Sequence, residues 1–193
     1  RCFILSWYML QSDWRILAGR TKKLQEQDTM ETITLDTIPF RVDMPALMER
    51  LHVQEGNSAV LELQALVAEA KALYGPAYVD AKGDDHIVVD GIKLTSRVLR
   101  VNLEHAYRVF PFVATCGMEL QTWCEAISVM LLNYWAQAIK EQALRVATRT
   151  LNEHLMQRFA PGKLGTMNPG SLSSWPLKEQ RPLFALLGNP QER

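Results

Sequence analysis

From Glu31 to Val42 the apolar residues Ile33, Leu35, Ile38, Phe40 and Val42 are separated by Thr, Asp and Arg. That is the period of a half-buried strand, interrupted at Pro39, and it marks the start of a sheet. Asn57 or Ser58 then caps a predicted helix in which Val60, Leu61, Leu63, Leu66, Val67, Ala70 and Leu73 follow a 3.6-residue period, ending at Tyr74-Gly75-Pro76. Tyr78 to Ala81 comes next, followed by His86-Ile87-Val88-Val89 and Ile92-Lys93-Leu94. The last two are joined by Asp90-Gly91, a two-residue hairpin signal because both positions tolerate positive φ. Ser96 to Glu104 fits a strand or a short helix, and Val109 to Thr115 reads as a buried strand.

Gly117 marks the turn into a largely helical second half. Met118 to Phe159 contains neither proline nor glycine, and Ile127, Leu131, Trp135, Ala138, Ile139, Ala143, Val146 and Leu151 keep a helical stripe, which predicts one short helix and one long one. The character then changes, with Pro161, Gly162, Gly165, Pro169 and Gly170 inside ten residues and Ser171, Ser173 and Ser174 after them, so a structured loop is expected. A last helix should begin near Pro176 and stop at Gly188, and Pro182 inside it forces a kink or two short helices.

Residues 1–29 read as an extension outside the domain, because Met30 opens the strand pattern directly after the polar stretch Arg20 to Thr29. The competing reading is an amphipathic helix docked through Ile4, Trp7, Tyr8 and Trp14. With 193 residues, residues 30–193 fit one compact domain. Lys plus Arg and Asp plus Glu are 21 each, so no basic excess draws the chain to nucleic acid or to anionic lipid. The longest apolar run, Cys2 to Leu10, is far below the ~18–20 residues of a membrane span, and the basic residues Arg15, Arg20, Lys22 and Lys23 follow it, unlike the order of a secretory signal. Cys2, Cys116 and Cys124 include no Cys-x-x-Cys pair, which fits a reducing, cytoplasmic compartment.

Gly-rich phosphate loops, His-Glu-x-x-His and Gly-x-Ser-x-Gly are absent, and the four histidines are scattered singly, so no bound metal or flavin is expected. Cys116 stands between a predicted strand end and a helix start, where a thiol can be activated, although a small buried hydrophobe is the simpler reading. Two features rise above this background. Thr166-Met167-Asn168-Pro169-Gly170-Ser171 carries Pro-Gly at the middle of a turn, exposing backbone groups suited to a flat polar ring or an anion; the alternative is a plain connecting loop. Glu141 falls between the azimuths of Met130 and Tyr134 on the long helix, so it is either a part-buried carboxylate on an apolar line or a solvated one beside Lys140 and Arg145.

Phe112-Val113-Ala114-Thr115-Cys116-Gly117-Met118-Glu119-Leu120, a long helix, Asn168-Pro169-Gly170-Ser171-Leu172 and Trp175-Pro176-Leu177-Lys178-Glu179-Gln180-Arg181-Pro182-Leu183-Phe184 resemble, in this order, the activation domain of cobalamin-dependent methionine synthase. They resemble still more the small stand-alone proteins similar to that domain. The resemblance covers roughly Met30 to Gly188. It implies an α+β fold, with a twisted antiparallel sheet packed with helices and one long helix in the C-terminal half. It also implies a part in rescuing a corrinoid-dependent methionine synthase from its inactive oxidised state, with an electron from a flavodoxin-type donor and a methyl group from S-adenosylmethionine.

In such a system the cobalamin sits on the partner, and the activation domain holds the methyl donor. By position, Glu141 would serve the cationic amino and sulfonium groups, and Asn168, Pro169 and Gly170 the adenine or ribose. Where the large enzyme's loop has Arg and Tyr, this chain has Thr166 and Ser171, so a clamp on the ligand carboxylate is missing and weaker binding is expected. The alternative is a non-catalytic interaction module that docks to a corrinoid protein or methyltransferase without S-adenosylmethionine.

Overall fold

A computed structural model describes the backbone of residues 3–10 and, with side chains, residues 32–40, 43–53, 70–104, 106, 108–159 and 164–190. The fold is α+β. Strands β2 (Ile33–Ile38), β3 (Ala70–Tyr74), β4 (Ala77–Lys82), β5 (His86–Val89), β6 (Ile92–Thr95) and β7 (Arg108–Thr115) form an antiparallel sheet in the order β2-β3-β7-β4-β5-β6. Helices α1 (Met44–Leu51), α2 (Arg97–Asn102), α3 (Met118–Ala126), α4 (Met130–Phe159) and α5 (Gln180–Leu186) accompany it. The chain divides into two compact units, one of Arg1–Ile4, Thr34–Ala72 and Ala114–His154, the other of Leu5–Ile33, Leu73–Val113 and Leu155–Arg193. Strands β3 and β7 and helix α4 each run through both.

In the first unit, α1 is a helix the hydrophobic pattern missed. Its signal lay in Asp43-Met44-Pro45: the Asp43 carboxylate accepts the Ala46 N–H at 3.1 Å, and Pro45 sits in the first turn, where an N–H has no partner to lose. Leu47 and Leu51 bury against Trp135, Ala138 and Ile139 of α4. Helices α3 and α4 are the short and long helices that the Pro- and Gly-free stretch predicted. They are separated at Ile127–Val129, where the Asn133 side-chain amide donates to the carbonyls of Cys124 (2.8 Å) and Ile127 (3.2 Å). Cys116 is fully buried beside Leu120 and Ala143, as a small core hydrophobe.

The predicted helix ending at Tyr74 needs correction at its end. Ala70–Tyr74 is strand β3, with Ala70, Ala72 and Tyr74 buried and Lys71 and Leu73 half-buried. Ala-x-Ala-x-Tyr satisfies period 2 as well as 3.6, and ladders to two neighbouring strands decide for the extended form. The rest of that helix, 57–69, lies outside the described residues. Leu131, placed on the buried stripe of α4, is exposed; the stripe enters the core only at Trp135.

In the second unit, β5 and β6 pair in the predicted register, His86 opposite Thr95 and Val89 opposite Ile92. Asp90 (φ 44°) and Gly91 (φ 75°) form a two-residue turn with the hand of type I′. Asp80 is the extra residue of a bulge in β4, and its carboxylate accepts the Gly91 N–H at 2.8 Å, tying the bulge to the turn. Ser96 to Glu104 resolves as α2: the buried Ser96 hydroxyl accepts the Leu99 N–H. Val109 and Phe110 and the rest of β7 to Ala114 are buried, as expected of this segment.

Phe3–Leu10 is strand β1, not the helix that one reading gave it. It pairs antiparallel with β8 (Leu164–Met167), Trp7 opposite Met167 and Leu10 opposite Leu164. The end of the chain forms a single 3-10 turn, Leu177–Glu179, and then α5, the two short helices that Pro182 required. Helix α5 packs on β6. The Glu179 carboxylate, from the residue just before α5, accepts the Thr95 N–H at 2.9 Å. Strand β6 ends the strand order, so this carboxylate satisfies a backbone donor on the outer edge of the sheet.

Glu179→Ala should therefore destabilise the protein by about 1–3 kcal/mol in chemical denaturation, since it orphans that N–H, while Glu179→Gln, which keeps an acceptor, should cost less than half as much. Asp90 provides a second test. Burial, with Asp80 adding to it, raises the Asp90 carboxyl above its ordinary value, and one of its oxygens is buried without a partner. A raised folded-state value lowers stability as pH climbs past the ordinary carboxylate range, and the full penalty is present at pH 7. Asp90→Asn removes the charge and makes the turn Asn-Gly. It should raise Tm by roughly 1–2 °C at pH 7, discounted for partial exposure, with the gain shrinking toward pH 4.

Candidate functional site

Glu141 belongs to the first unit and residues 166–171 to the second. Glu141 lies on α4, outside the buried face: Met130 and Tyr134, which with it mark an apolar line in the sequence, are 86% and 56% exposed. The line is therefore on the surface, and the carboxylate is solvated rather than part of the core. The solvated reading falls short in one respect, because Glu141 is held from two sides. Its Oε1 accepts from Arg145, one turn on, at 2.8 Å, and its Oε2 accepts from Arg50 at the end of α1. The hydrogen bond from Arg50 holds the carboxyl below the usual carboxylate range against the opposing effect of burial, and the bond from Arg145 adds to the lowering.

Arg50 is the residue sequence reasoning missed. Its separation of 91 positions from Glu141 hides the pairing, and α1 itself was missed. The docking of α1 puts it there. Gln142, next to Glu141, accepts from the Asp43 backbone N–H and donates to the Asp43 carbonyl, both at 3.2 Å, which fixes the start of α1 on α4. Leu47 and Leu51 fix its inner face, and Arg50 stays outside.

The loop contains one correction and one close agreement. Thr166 and Met167 are in strand β8, with Thr166 opposite Tyr8, rather than in a loop. Asn168-Pro169-Gly170-Ser171 is a turn closed by the Ser171 N–H on the Asn168 carbonyl at 3.3 Å; with Pro169 at its first central position and Gly170 at φ 88°, it has the residues and the sign of φ of type II. The expectation that this turn leaves backbone groups exposed is corrected. The Asn168 carbonyl also accepts the Ser171 hydroxyl at 2.6 Å, and the Gly170 N–H donates to the Trp175 carbonyl at 2.7 Å. Trp175 is fully buried and returns an N–H to Leu172, so a second turn clamps the first.

The structure thus brings Asn168, Pro169, Gly170 and Ser171 into one braced turn, leaves Thr166 exposed on the strand before it, and sets Glu141 between Arg50 and Arg145. Pro169 is buried, while Asn168 and Ser171 are exposed. Among the described residues, no group of three His, Cys, Asp or Glu side chains could hold a metal ion, and no helix is long and apolar enough to cross a membrane.

No protein-family model matches the chain, and no curated protein matches it with significance.

Glu141 contributes to stability above the ordinary carboxylate range and loses that contribution as pH falls through its lowered value. Its side chain is 40% exposed, so solvent screens the pairs. Glu141→Gln should change stability at pH 7 by less than ~1 kcal/mol in denaturant titration, the difference vanishing in acid.

Proposed function

We propose that the chain is an accessory subunit that supports reductive methylation of a corrinoid-dependent methionine synthase, holding S-adenosylmethionine as methyl donor while the partner carries the cobalamin. A flavodoxin-type protein supplies the electron, and the complex works in the cytoplasm, where the buried thiols Cys116 and Cys124 stay reduced. The observation that supports this reading is the state of Glu141: a carboxylate kept ionised, half-exposed and anchored on a long rigid helix. An ionised carboxylate at the surface complements a ligand whose amino and sulfonium groups are both cationic.

One observation favours the alternative, an interaction module without a ligand. The turn's own hydrogen bonds consume the Gly170 N–H and engage the Asn168 carbonyl, and Val129 with Met130, Leu131, Leu132 and Tyr134 of the first turns of α4 is exposed, an apolar surface suited to protein docking.

Calorimetric titration with S-adenosylmethionine separates the two. The wild type should bind, and Glu141→Gln should weaken binding by roughly ten- to a hundred-fold, the cost of a charge-assisted contact. Absence of binding in both proteins would leave the interaction module as the function.

A further inference from the structure

The three charged side chains around Glu141 form a pattern of their own. Glu141 is central, with a different guanidinium on each carboxylate oxygen, Arg145 on Oε1 and Arg50 on Oε2. Each guanidinium spends one N–H on Glu141 and has five, so most of its donors remain available, and a carboxylate with about four lone-pair sites has two in use. Arg145 is 64% exposed, and Arg50 and Glu141 are each 40% exposed, so all three side chains are reachable from solvent. The arrangement is held in place by the packing of α1 on α4 and by the two Gln142–Asp43 hydrogen bonds.

A plain anion approaching this cluster meets the guanidiniums but is opposed by Glu141. A plain cation meets Glu141 but is opposed by two arginines. A molecule that carries an ammonium and a carboxylate on the same carbon satisfies both at once, and an α-amino acid is such a molecule.

We propose that Arg50, Glu141 and Arg145 form a clamp for an α-amino-acid zwitterion, in which Glu141 takes the ammonium and the two guanidiniums take the carboxylate. Resting on the function proposed above, this means that the methionine moiety of S-adenosylmethionine is the part held here, and that Arg50 and Arg145 perform the carboxylate recognition that Thr166 cannot. The planar guanidinium fork matters, because a bidentate contact to a carboxylate needs two parallel N–H donors that a lysine ammonium lacks.

The test compares S-adenosylmethionine with its decarboxylated analogue, which keeps the ammonium and the sulfonium, in calorimetric titrations of the wild type, Arg50→Gln, Arg145→Gln and Arg50→Lys. Near-UV circular dichroism of each variant checks that it is folded. The clamp requires that the wild type prefer S-adenosylmethionine over the analogue by roughly ten-fold or more, and that each Gln variant lose most of that preference. Arg50→Lys should fall between wild type and Arg50→Gln, and binding of the analogue should be nearly the same in all four proteins. Equal binding of S-adenosylmethionine by the wild type and both Gln variants, with Glu141→Gln still weakened, would overturn the clamp and leave the proposed function standing. Failure of the wild type to bind S-adenosylmethionine at all would overturn the function and the clamp together.

Discussion

Close packing along one face of α4 is the constraint on which the first unit depends. Trp135, Ala136, Ala138, Ile139, Ala143, Leu144, Ala147 and Leu151 are buried, and four of these eight are alanine. Small side chains let neighbouring elements approach closely, and Trp135 fills the wider space where α1 crosses with Leu47 and Leu51. An interior packed this densely tolerates little change in volume, so the rotation of α4 about its axis is fixed. Everything polar on the helix inherits its position from that: Gln142 meets Asp43, and Glu141, one residue earlier, meets Arg50.

The second unit solves a different problem, that of a sheet whose edge strand would otherwise display unpaired donors. A turn of correct hand sets the register of β5 and β6, a bulge at Asp80 braces that turn, and Glu179 covers the outer N–H of Thr95. These are side chain-to-backbone bonds between residues distant in sequence. Asp90 is the least comfortable of them, since its second oxygen is buried without a partner while its first accepts the Tyr78 N–H at 3.2 Å. Such a group costs stability, and a turn that needs positive φ tolerates Asp among few other residues.

The chemistry of the surface follows from the two constructions. The Pro-Gly turn is rigid because its hydrogen bonds are closed internally through Trp175, and rigidity is gained at the expense of free backbone donors. Glu141 is rigid because two cations and a packed helix hold it, and it remains half-exposed. Both arrangements hold polar groups in place before any ligand arrives, which reduces the ordering that binding would otherwise require.

The sequence by itself determined the elements whose signals are local. The Asp90-Gly91 hairpin, the short and long helices after Gly117, the buried strand before it, the type II turn at Pro169-Gly170 and the break between the 3-10 turn and the helix that holds Pro182 were all legible, because each rests on φ preferences or on apolar period within a few residues. Helix α1 has its signal in the cap Asp43 and in Pro45 of the first turn, not in its hydrophobic period. Tertiary structure decided what the chain's neighbours supply. Ala70–Tyr74 became a strand because two strands flank it, and Thr166 joined β8 because β1 offers a ladder. Glu141 faces outward because the alanine face of α4, not the line through Met130 and Tyr134, packs inward. The pairing of Arg50 with Glu141 exists only after α1 docks, since an ion pair across 91 positions leaves no periodic trace in a sequence.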